Sequence, residues 1–289
     1  MKNLFNNIWT GIVLGLFCSC TEEITLDIPV GKERLVVDGG IELDAATNET
    51  RVEIKLSTTT AYFDEAANPA LSIDRVIILD ESDQEYLLTE TSSGVYLSTD
   101  LIAQIEERYR LVVEWNGERY EAESTLLAVP ELQSIHQISQ EATFFDDAGI
   151  KLAIDFQDPS EVQNFYHFEQ YRNDTLLLTP SGGNQFQLVV KDEFFNGEFI
   201  ESYVPGDEFS FLPDDIGRIK MRSLDEKAFK FYKLFYEKSV DEPSFIVGET
   251  PPVAIKGNVI NRDEPENYGL GYFLATQVST GSTKITTIE

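Results

Sequence analysis

The chain has 289 residues, of which 42% are hydrophobic and 11% aromatic, and its formal net charge is −29. That apolar and aromatic content excludes a disordered chain despite the high charge. The acidic balance argues against nucleic acid and anionic lipid headgroups as partners, because both carry negative phosphates.

The first residues have the pattern of a secretory signal. Lys2 is the only charge before Cys20, and the apolar run over 8–17 is shorter than the roughly 20 residues that span a bilayer. A small residue stands just before Cys20, as in lipoprotein signals. We therefore predict a signal peptide over 1–19, lipid attachment at Cys20 and a tether over 20–33. The alternatives are lipid attachment at Cys18 and an ordinary secreted protein whose signal peptide is cut nearby.

No cysteine follows Cys20. The folded body therefore cannot hold a disulfide or a thiolate metal site. A chain of this length buries enough apolar surface to fold without such links. No cofactor is predicted.

Residues 34–128 alternate short apolar runs with turns. This pattern predicts an immunoglobulin-like β-sandwich. Its strands are expected near 34–41, 50–59, 74–80, 85–90, 94–99, 109–115 and 118–125. Asn116-Gly117 predicts a type I′ hairpin, because both residues tolerate positive φ. The stretch 61–69, with Tyr62 and Phe63, is expected to be a long loop.

A short linker over 129–131 precedes a second strand-rich region, 132–289. It is predicted to be a second β-sandwich. Its strands are expected near 133–139, 150–156, 164–172, 174–179, 185–190, 198–204, 217–222, 252–260 and 270–288. The fold class is therefore mainly β, with two antiparallel sandwich domains, the second holding one helix.

The helix is predicted at about 224–238. Ser223 and Glu226 form a capping-box pattern, with Ser223 as the N-cap. Ala228, Phe231, Tyr232 and Phe235 follow at helical spacing. We expect this apolar stripe, including Phe231 and Phe235, to be buried against a sheet.

Several segments together resemble one family. They are RLVVDGGI at 34–41, TAYFD at 60–64, FQDP at 156–159, GNVI at 257–260 and GLGYFLATQVS at 269–279. In this order they resemble the Bacteroidota lipoproteins grouped as domain of unknown function 4249. The resemblance implies an outer-membrane lipoprotein, often encoded beside a TonB-dependent transporter. Acidic residues directly after the lipidated cysteine resemble, in that group, a signal for the cell surface, although the periplasmic face stays open.

Catalytic and metal motifs are scarce. His136 and His167 are the only histidines, and His167 fits a strand position that faces the same way as Glu169. Carboxylate doublets at 146–147 and 214–215 point apart on an extended chain, which disfavours paired-carboxylate catalysis. Weak calcium binding there remains an alternative to solvated loop charge. Gly269-x-Gly271 lacks a third glycine and predicts a bulge or a close backbone approach.

One short motif concerns modification. Asp174-Thr175-Leu176 resembles the O-glycosylation acceptor of the Bacteroidota, which makes Thr175 a candidate site. The alternative is a hairpin turn at Asn173-Asp174.

These observations predict a non-enzymatic, lipid-anchored accessory or binding protein of the outer membrane, associated with a TonB-dependent transporter. A surface glycan-active or proteolytic enzyme and an adhesin-like structural module are the alternatives. Aromatic residues on loops dominate binding energies, so Tyr62, Phe63 and Tyr268 are the candidate partner contacts. For Tyr62 and Phe63, plugging the end of their own sandwich is the alternative.

Overall fold

In the computed structural model, which describes residues 32–60, 68–141, 149–160, 162–177, 188–206, 209–239 and 255–287, one large sheet contains strands from both halves of the chain. The strands are β1 (Leu35–Asp44), β2 (Thr50–Thr58), β3 (Val76–Leu79), β4 (Glu85–Leu87), β5 (Thr89–Ser92), β6 (Val95–Ser98), β7 (Arg108–Trp115), β8 (Glu118–Thr125), β9 (Leu132–Gln140), β10 (Gly149–Gln157), β11 (Phe165–Arg172), β12 (Thr175–Leu176), β13 (Val189–Lys191), β14 (Phe199–Tyr203), β15 (Ile216–Leu224), β16 (Ile260–Asn261) and β17 (Leu270–Lys284).

The strands form three sheets. The large sheet has nine strands in the order β12-β11-β15-β17-β1-β2-β6-β5, with β13 also paired to β11. The first small sheet has the order β16-β8-β7-β3-β4, and the second small sheet has the order β14-β10-β9. In the described residues one α-helix, α1 (Glu226–Ser239), accompanies short 3-10 turns at Asp192–Phe194 and Pro265–Asn267. The prediction of a mainly β protein with sandwich-like layers and one α-helix is confirmed.

The two halves of the chain meet through a parallel strand pair. Val36 of β1 lies opposite Leu270 of β17, and Asp44 lies opposite Val278. Every other strand pair in the described part of the chain is antiparallel. The division of the chain into two domains at 129–131 stays a prediction. Strand β1 comes from the first predicted domain and β17 from the second, yet both lie in the same sheet.

Two hydrophobic cores cover one face of the large sheet, and the second core also includes residues on the opposite face, such as Tyr272 and Ala228. Side chains alternate between faces along a strand, so positions 273 and 281 of β17 lie on the same face. Near Phe273 the first core packs against the first small sheet through Val37, Ile41, Ala275, Leu111, Val113 and Tyr120. Near Gly281, which lies opposite Ile219, the second core packs against the second small sheet through Phe168, Ile219, Met221, Leu152, Ile154 and Phe156. We call this the inner face, and the opposite one the outer face.

Helix α1 packs on the outer face. Phe229 lies 4.8 Å from Phe165 between ring centroids, Phe231 lies 4.9 Å from Tyr272, and Ala228 is fully buried. Phe231 is half-buried, but Phe235 is 45% exposed. The prediction that Phe235 is buried is therefore wrong.

The helix begins later than its capping pattern predicted. The backbone N–H of Ala228 donates to the carboxylate of Asp225 at 2.7 Å, so Asp225 is the N-cap. Ser223 still belongs to β15, where its hydroxyl donates to the carbonyl of Leu127 and contacts Thr276. The prediction of Ser223 as the cap is wrong, because β15 continues to Leu224 before the chain can turn.

Local turn chemistry agrees with the sequence. Asn116 and Gly117 have φ values of 52° and 78°, which confirms the type I′ hairpin between β7 and β8. Asn173 and Asp174 have φ values of 49° and 63°, and they connect β11 to β12 in the same way. Of the strand expected near 252–260, the described residues contain only the short β16. No helix in the described ranges has the length and apolar character needed to cross a bilayer.

Candidate functional site

The outer face of the large sheet carries a cavity of about 470 Å³, which we call the sheet pocket. Five basic side chains line it, from Arg51, Lys55, Arg218, Lys220 and Arg222. Four carboxylates line it as well, from Asp38, Glu42, Glu53 and Glu169. The whole chain has 51 acidic and 22 basic residues. Basic side chains therefore outnumber acidic ones in the sheet pocket, whereas acidic residues predominate in the chain as a whole.

Strand register brings these side chains together. Glu42 lies opposite Arg51 of β2 and Thr276 of β17, while Glu169 lies opposite Lys220 of β15. Residues opposite each other point to the same face. Gly40 lies between them without a side chain, and a Cβ there would come within 1.7 Å of the Leu274 carbonyl oxygen. This close approach of β1 to β17 therefore requires glycine at position 40, which lines the sheet pocket without a side chain.

An ion network crosses the pocket. Arg222 donates through Nη2 to Glu42 at 2.7 Å and through Nη1 to Glu169 at 2.7 Å. Lys220 donates to both carboxylate oxygens of Glu42, at 2.9 and 3.0 Å. The hydroxyl of Tyr171 donates to Glu169 at 2.6 Å. The Arg222 side chain is only 16% exposed, so these bonds hold it and both carboxylates in fixed positions.

The network sets the protonation of its carboxylates. Burial alone would raise the pKa of Glu42, but the attraction of Arg222 and Lys220 outweighs it and lowers that pKa below its usual value. Burial likewise opposes ionisation of Glu169, and Arg222 again lowers the pKa of that carboxyl. Both carboxylates are therefore ionised at neutral pH.

His167 lies beside the network, beneath α1. Its ring stacks on Tyr232 at 4.7 Å, and its Nε2 hydrogen-bonds the hydroxyl of Tyr236 at 2.8 Å. Burial lowers the pKa of His167 to about 4, so the ring is neutral at pH 7. As the strand pattern predicted, His167 and Glu169 point to the same face. Within the described ranges no three His, Cys, Asp or Glu side chains are grouped so as to hold a metal ion.

The second histidine belongs to a group that sequence reasoning missed. His136 Nε2 lies 3.1 Å from the hydroxyl of Ser202, and Ser134 lies 3.3 Å from His136 Nδ1. Asp155 accepts from the Ser134 hydroxyl at 2.5 Å and from the Ser202 backbone N–H at 2.7 Å. His136 and Ser202 are separated by 66 positions, and only the pairing of β9, β10 and β14 brings this group together.

The geometry of this group does not match a catalytic triad. A triad needs the carboxylate to hold the imidazole through its Nδ1. Here Asp155 is 4.0 Å from His136 Nδ1, and both of its oxygens already accept other hydrogen bonds. Ser202 has a φ of 56° at an irregularity in the β10–β14 pairing, so Asp155 stabilises that backbone conformation.

The C-terminal family motif has a structural role. The side chain of Asn258 donates to the carbonyls of Phe273 and Glu123 at 2.8 and 2.9 Å, and accepts from the Phe273 N–H at 3.0 Å. Gly271 has a φ of 81°, and a Cβ there would lie 1.9 Å from the Val37 carbonyl oxygen. The close approach predicted for Gly269-x-Gly271 is confirmed.

Two of the residues predicted from the sequence as sites, Thr175 and Tyr268, are described, and neither lines the sheet pocket. Cys20, Tyr62 and Phe63 lie outside the described residues. Tyr268 is half-buried, with Arg34 and Lys256 each 4.1 Å from its ring centroid. Thr175 is exposed on β12, directly after the Asn173-Asp174 turn. Their roles as partner contact and glycosylation site stay predictions.

The fold and the pocket define a layered β protein with a charged cavity on the outer face of its largest sheet. The family model described as a domain of unknown function (DUF4249) matches residues 21–282, so the chain belongs to that family. A comparison with curated proteins finds no match.

Proposed function

We propose that this protein is a lipid-anchored binding protein of the outer membrane, which acts without catalysis beside a TonB-dependent transporter. The sheet pocket is the observation that carries the binding role. Its volume of about 470 Å³ falls within the range of small-molecule sites, roughly 300–1,000 Å³.

The ion network supports recognition over a purely structural role. Replacing buried ion pairs by apolar residues of similar volume is often neutral or stabilising, so stability does not require such a network. A network open to a cavity instead presents charges of both signs in fixed positions. This arrangement favours a polar ligand that itself carries charge, because ordering the site costs little on binding.

The same charges argue against glycosidase chemistry. A glycosidase needs a general acid whose pKa is raised, beside a second, ionised carboxylate. Glu42 and Glu169 have lowered pKa values because of their cationic neighbours. Asp158 does have a raised pKa because of burial, but it is only 1% exposed and bonded to Tyr166, out of reach of a substrate.

The membrane location rests on the signal peptide and on Cys20. The partnership with a transporter rests on the family resemblance. Replacing Cys20 by serine should release the protein from outer-membrane fractions. Labelled palmitate that still enters the Cys20→Ser variant would contradict this site and indicate Cys18.

The partner is tested by affinity purification of the lipidated protein from outer membranes. A TonB-dependent transporter should co-purify, and the Tyr62→Ala, Phe63→Ala variant should lose it. Phe194 and Phe199 are exposed aromatics elsewhere, 94% and 49% exposed, and Phe194→Ala, Phe199→Ala is the matched control. Equal recovery of the transporter with all three proteins would refute the loop as the interface.

The pocket is tested separately, by thermal shift of the full chain with small anionic, cationic and zwitterionic compounds. A compound that stabilises the wild type should lose its effect in Lys55→Gln, Arg218→Gln, which changes cations of the sheet pocket. Turnover of any such compound would favour the enzyme alternative.

A further inference from the structure

Two carboxylates beside the start of β11 are buried without a cationic partner. Asp158 directly follows β10 and is 1% exposed, and Asp192 directly follows β13 and is 0% exposed. Within the part of the chain that the structure describes, neither carboxylate forms an ion pair with lysine, arginine or histidine. Burying a carboxylate without a compensating charge is costly, so this pair requires a compensating partner.

Strand pairing places an amide side chain beside Asp192. Phe165 of β11 lies opposite Lys191 of β13, so Asn164 and Asp192 form the next pair. The backbone N–H of Asn164 donates to Oδ2 of Asp192 at 2.7 Å, and the backbone N–H of Asp192 donates to the carbonyl of Asn164 at 3.1 Å. Side chains of opposite residues point to the same face, so this carboxylate and this amide lie side by side.

Each of these two side chains has an oxygen that accepts no hydrogen bond. Oδ1 of Asp192 and Oδ1 of Asn164 are both buried, and no donor of the described residues reaches either atom. Buried polar atoms have a partner in the great majority of cases. Two acceptors that lie side by side without a donor fit a ligand that takes electron pairs from both, which is a cation.

Asp158 belongs to the same face. Its Oδ1 accepts from the hydroxyl of Tyr166 at 2.5 Å, and Tyr166 lies two positions after Asn164, so their side chains share one side of β11. Its Oδ2 accepts from the backbone N–H of Gly197 at 2.9 Å. Burial raises the pKa of Asp158, and the negative charge of Asp192 raises it further. The two carboxylates are therefore neighbours.

We propose that Asp158, Asn164 and Asp192 form a calcium site at the start of β11. Calcium prefers oxygen ligands from carboxylates, amides and water, and it takes about six to eight of them. The two free oxygens, on Asp192 and Asn164, bind the ion directly, and the carboxylate of Asp158 balances its second charge. Asn164 is half-buried, so waters enter beside it and complete the coordination.

The calcium site differs from the other candidates for ligand binding. One of its three side chains is an amide, so it is not a cluster of three acidic or histidine side chains. It lies on the inner face of the large sheet, whereas the sheet pocket lies on the outer face. The ion connects the end of β10, in the second small sheet, with β11 and β13 in the large sheet. Calcium therefore stabilises the contact between these two layers.

The test is a calcium titration of the full chain after treatment with EDTA, measured by isothermal titration calorimetry and by thermal unfolding. We expect one calcium ion per chain. A calcium concentration about 100 times Kd should raise Tm by roughly 5–10 °C, because the ion binds only the folded state. Magnesium should bind more weakly, because it gives up its water ligands reluctantly.

Two variants test the ligands separately. Asp192→Asn keeps an oxygen that accepts from the N–H of Asn164 but removes the charge. Loss of even an outer partner of a metal ligand costs about 10–100-fold in affinity, so this variant should bind calcium at least roughly tenfold more weakly. Without calcium it should melt no lower than the wild type, because it has lost an uncompensated buried charge. Asn164→Ala removes an oxygen that has no other partner, and it should weaken calcium binding even if Asp192→Asn does not fold.

The control is Asp214→Asn, which removes a carboxylate whose side chain is 86% exposed. It belongs to the doublet at 214–215, where the sequence alone left calcium binding open, and its loss should leave the calcium affinity unchanged.

Four results would overturn the proposal. Absence of saturable calcium binding would mean that the two free oxygens bind water. Unchanged binding in both Asp192→Asn and Asn164→Ala would place the ion elsewhere. An equal loss in Asp214→Asn would mean that the general negative charge attracts calcium. Equal affinity for magnesium would refute a site that selects calcium.

Discussion

Arg222 connects two carboxylates that lie far apart in the chain, Glu42 and Glu169, so its replacement by methionine tests the sheet pocket directly. Methionine keeps an unbranched, mainly aliphatic side chain but removes both 2.7 Å bonds, to Glu42 and to Glu169. Removing one partner of a buried ion pair costs about 3–5 kcal/mol, because the other partner stays buried without compensation.

The lower end of that range applies here. Lys220 still binds Glu42 and Tyr171 still donates to Glu169, while the two carboxylate side chains are 22% and 12% exposed. We therefore expect Arg222→Met to lower the free energy of unfolding by about 3 kcal/mol, which corresponds to roughly 6–12 °C in Tm for a chain of this size.

Urea unfolding at pH 7 measures the loss, and Arg51→Met is the control. Arg51 binds Glu53 at the same 2.7 Å, but its side chain is 69% exposed. An exposed pair contributes about 0–1 kcal/mol. The double variant Arg222→Met, Glu169→Gln should recover part of the stability, because it removes the carboxylate left without its cation.

Acid should reduce the difference in the free energy of unfolding between Arg222→Met and the wild type. In the wild type the pKa values of Glu42 and Glu169 are lowered, so their contribution is complete above their usual pKa of 4.5 and lost as the pH falls through the lowered values. In the variant, burial without Arg222 favours the protonated carboxyl, so acid removes the penalty. Two results would refute this account of the network. One is an equal loss of unfolding free energy in Arg222→Met and Arg51→Met. The other is a difference in unfolding free energy between Arg222→Met and the wild type that stays constant down to pH 4.

Three further predictions concern single residues. The pKa of His167 falls from 6.5 to about 4 on folding, so this residue's contribution to stability is complete above pH 6.5 and is lost as the pH falls toward 4. Urea unfolding should show a loss of about 2 kcal/mol between pH 7 and pH 5 that is absent in His167→Phe; the same slope in both proteins would contradict it. Asn258→Ala removes three hydrogen bonds and should cost about 2–3 kcal/mol in urea unfolding, whereas a loss below about 1 kcal/mol would show that other groups replace them. Asp225→Ala should lower the free energy of unfolding by about 1 kcal/mol, and Asp225→Ser should lower it much less, because serine also caps helices. Equal losses of the two variants in thermal unfolding would mean that Asp225 is not the cap.

Local features of this protein were accessible from the sequence alone. The Asn116-Gly117 hairpin follows from two residues that tolerate positive φ, a property that no distant contact changes. Most strands follow from side-chain alternation, and the helix follows from its apolar spacing. The position of the helix cap could not be predicted from the sequence. Serine and aspartate both cap helices, and only the length of β15 decides between Ser223 and Asp225.

The sheet pocket depends on tertiary structure. The pairing of β1 with β17 joins residues more than 200 positions apart, and nothing local to either strand encodes that register. Without that pairing Glu42 would not meet Arg222, and without the pairing of β11 with β15 Glu169 would not meet it either. The net charge likewise predicts an acidic surface, yet the fold gathers five basic side chains around one pocket. Net charge is a sum over all residues, whereas a binding surface depends on the few charges that lie within one screening length of one another.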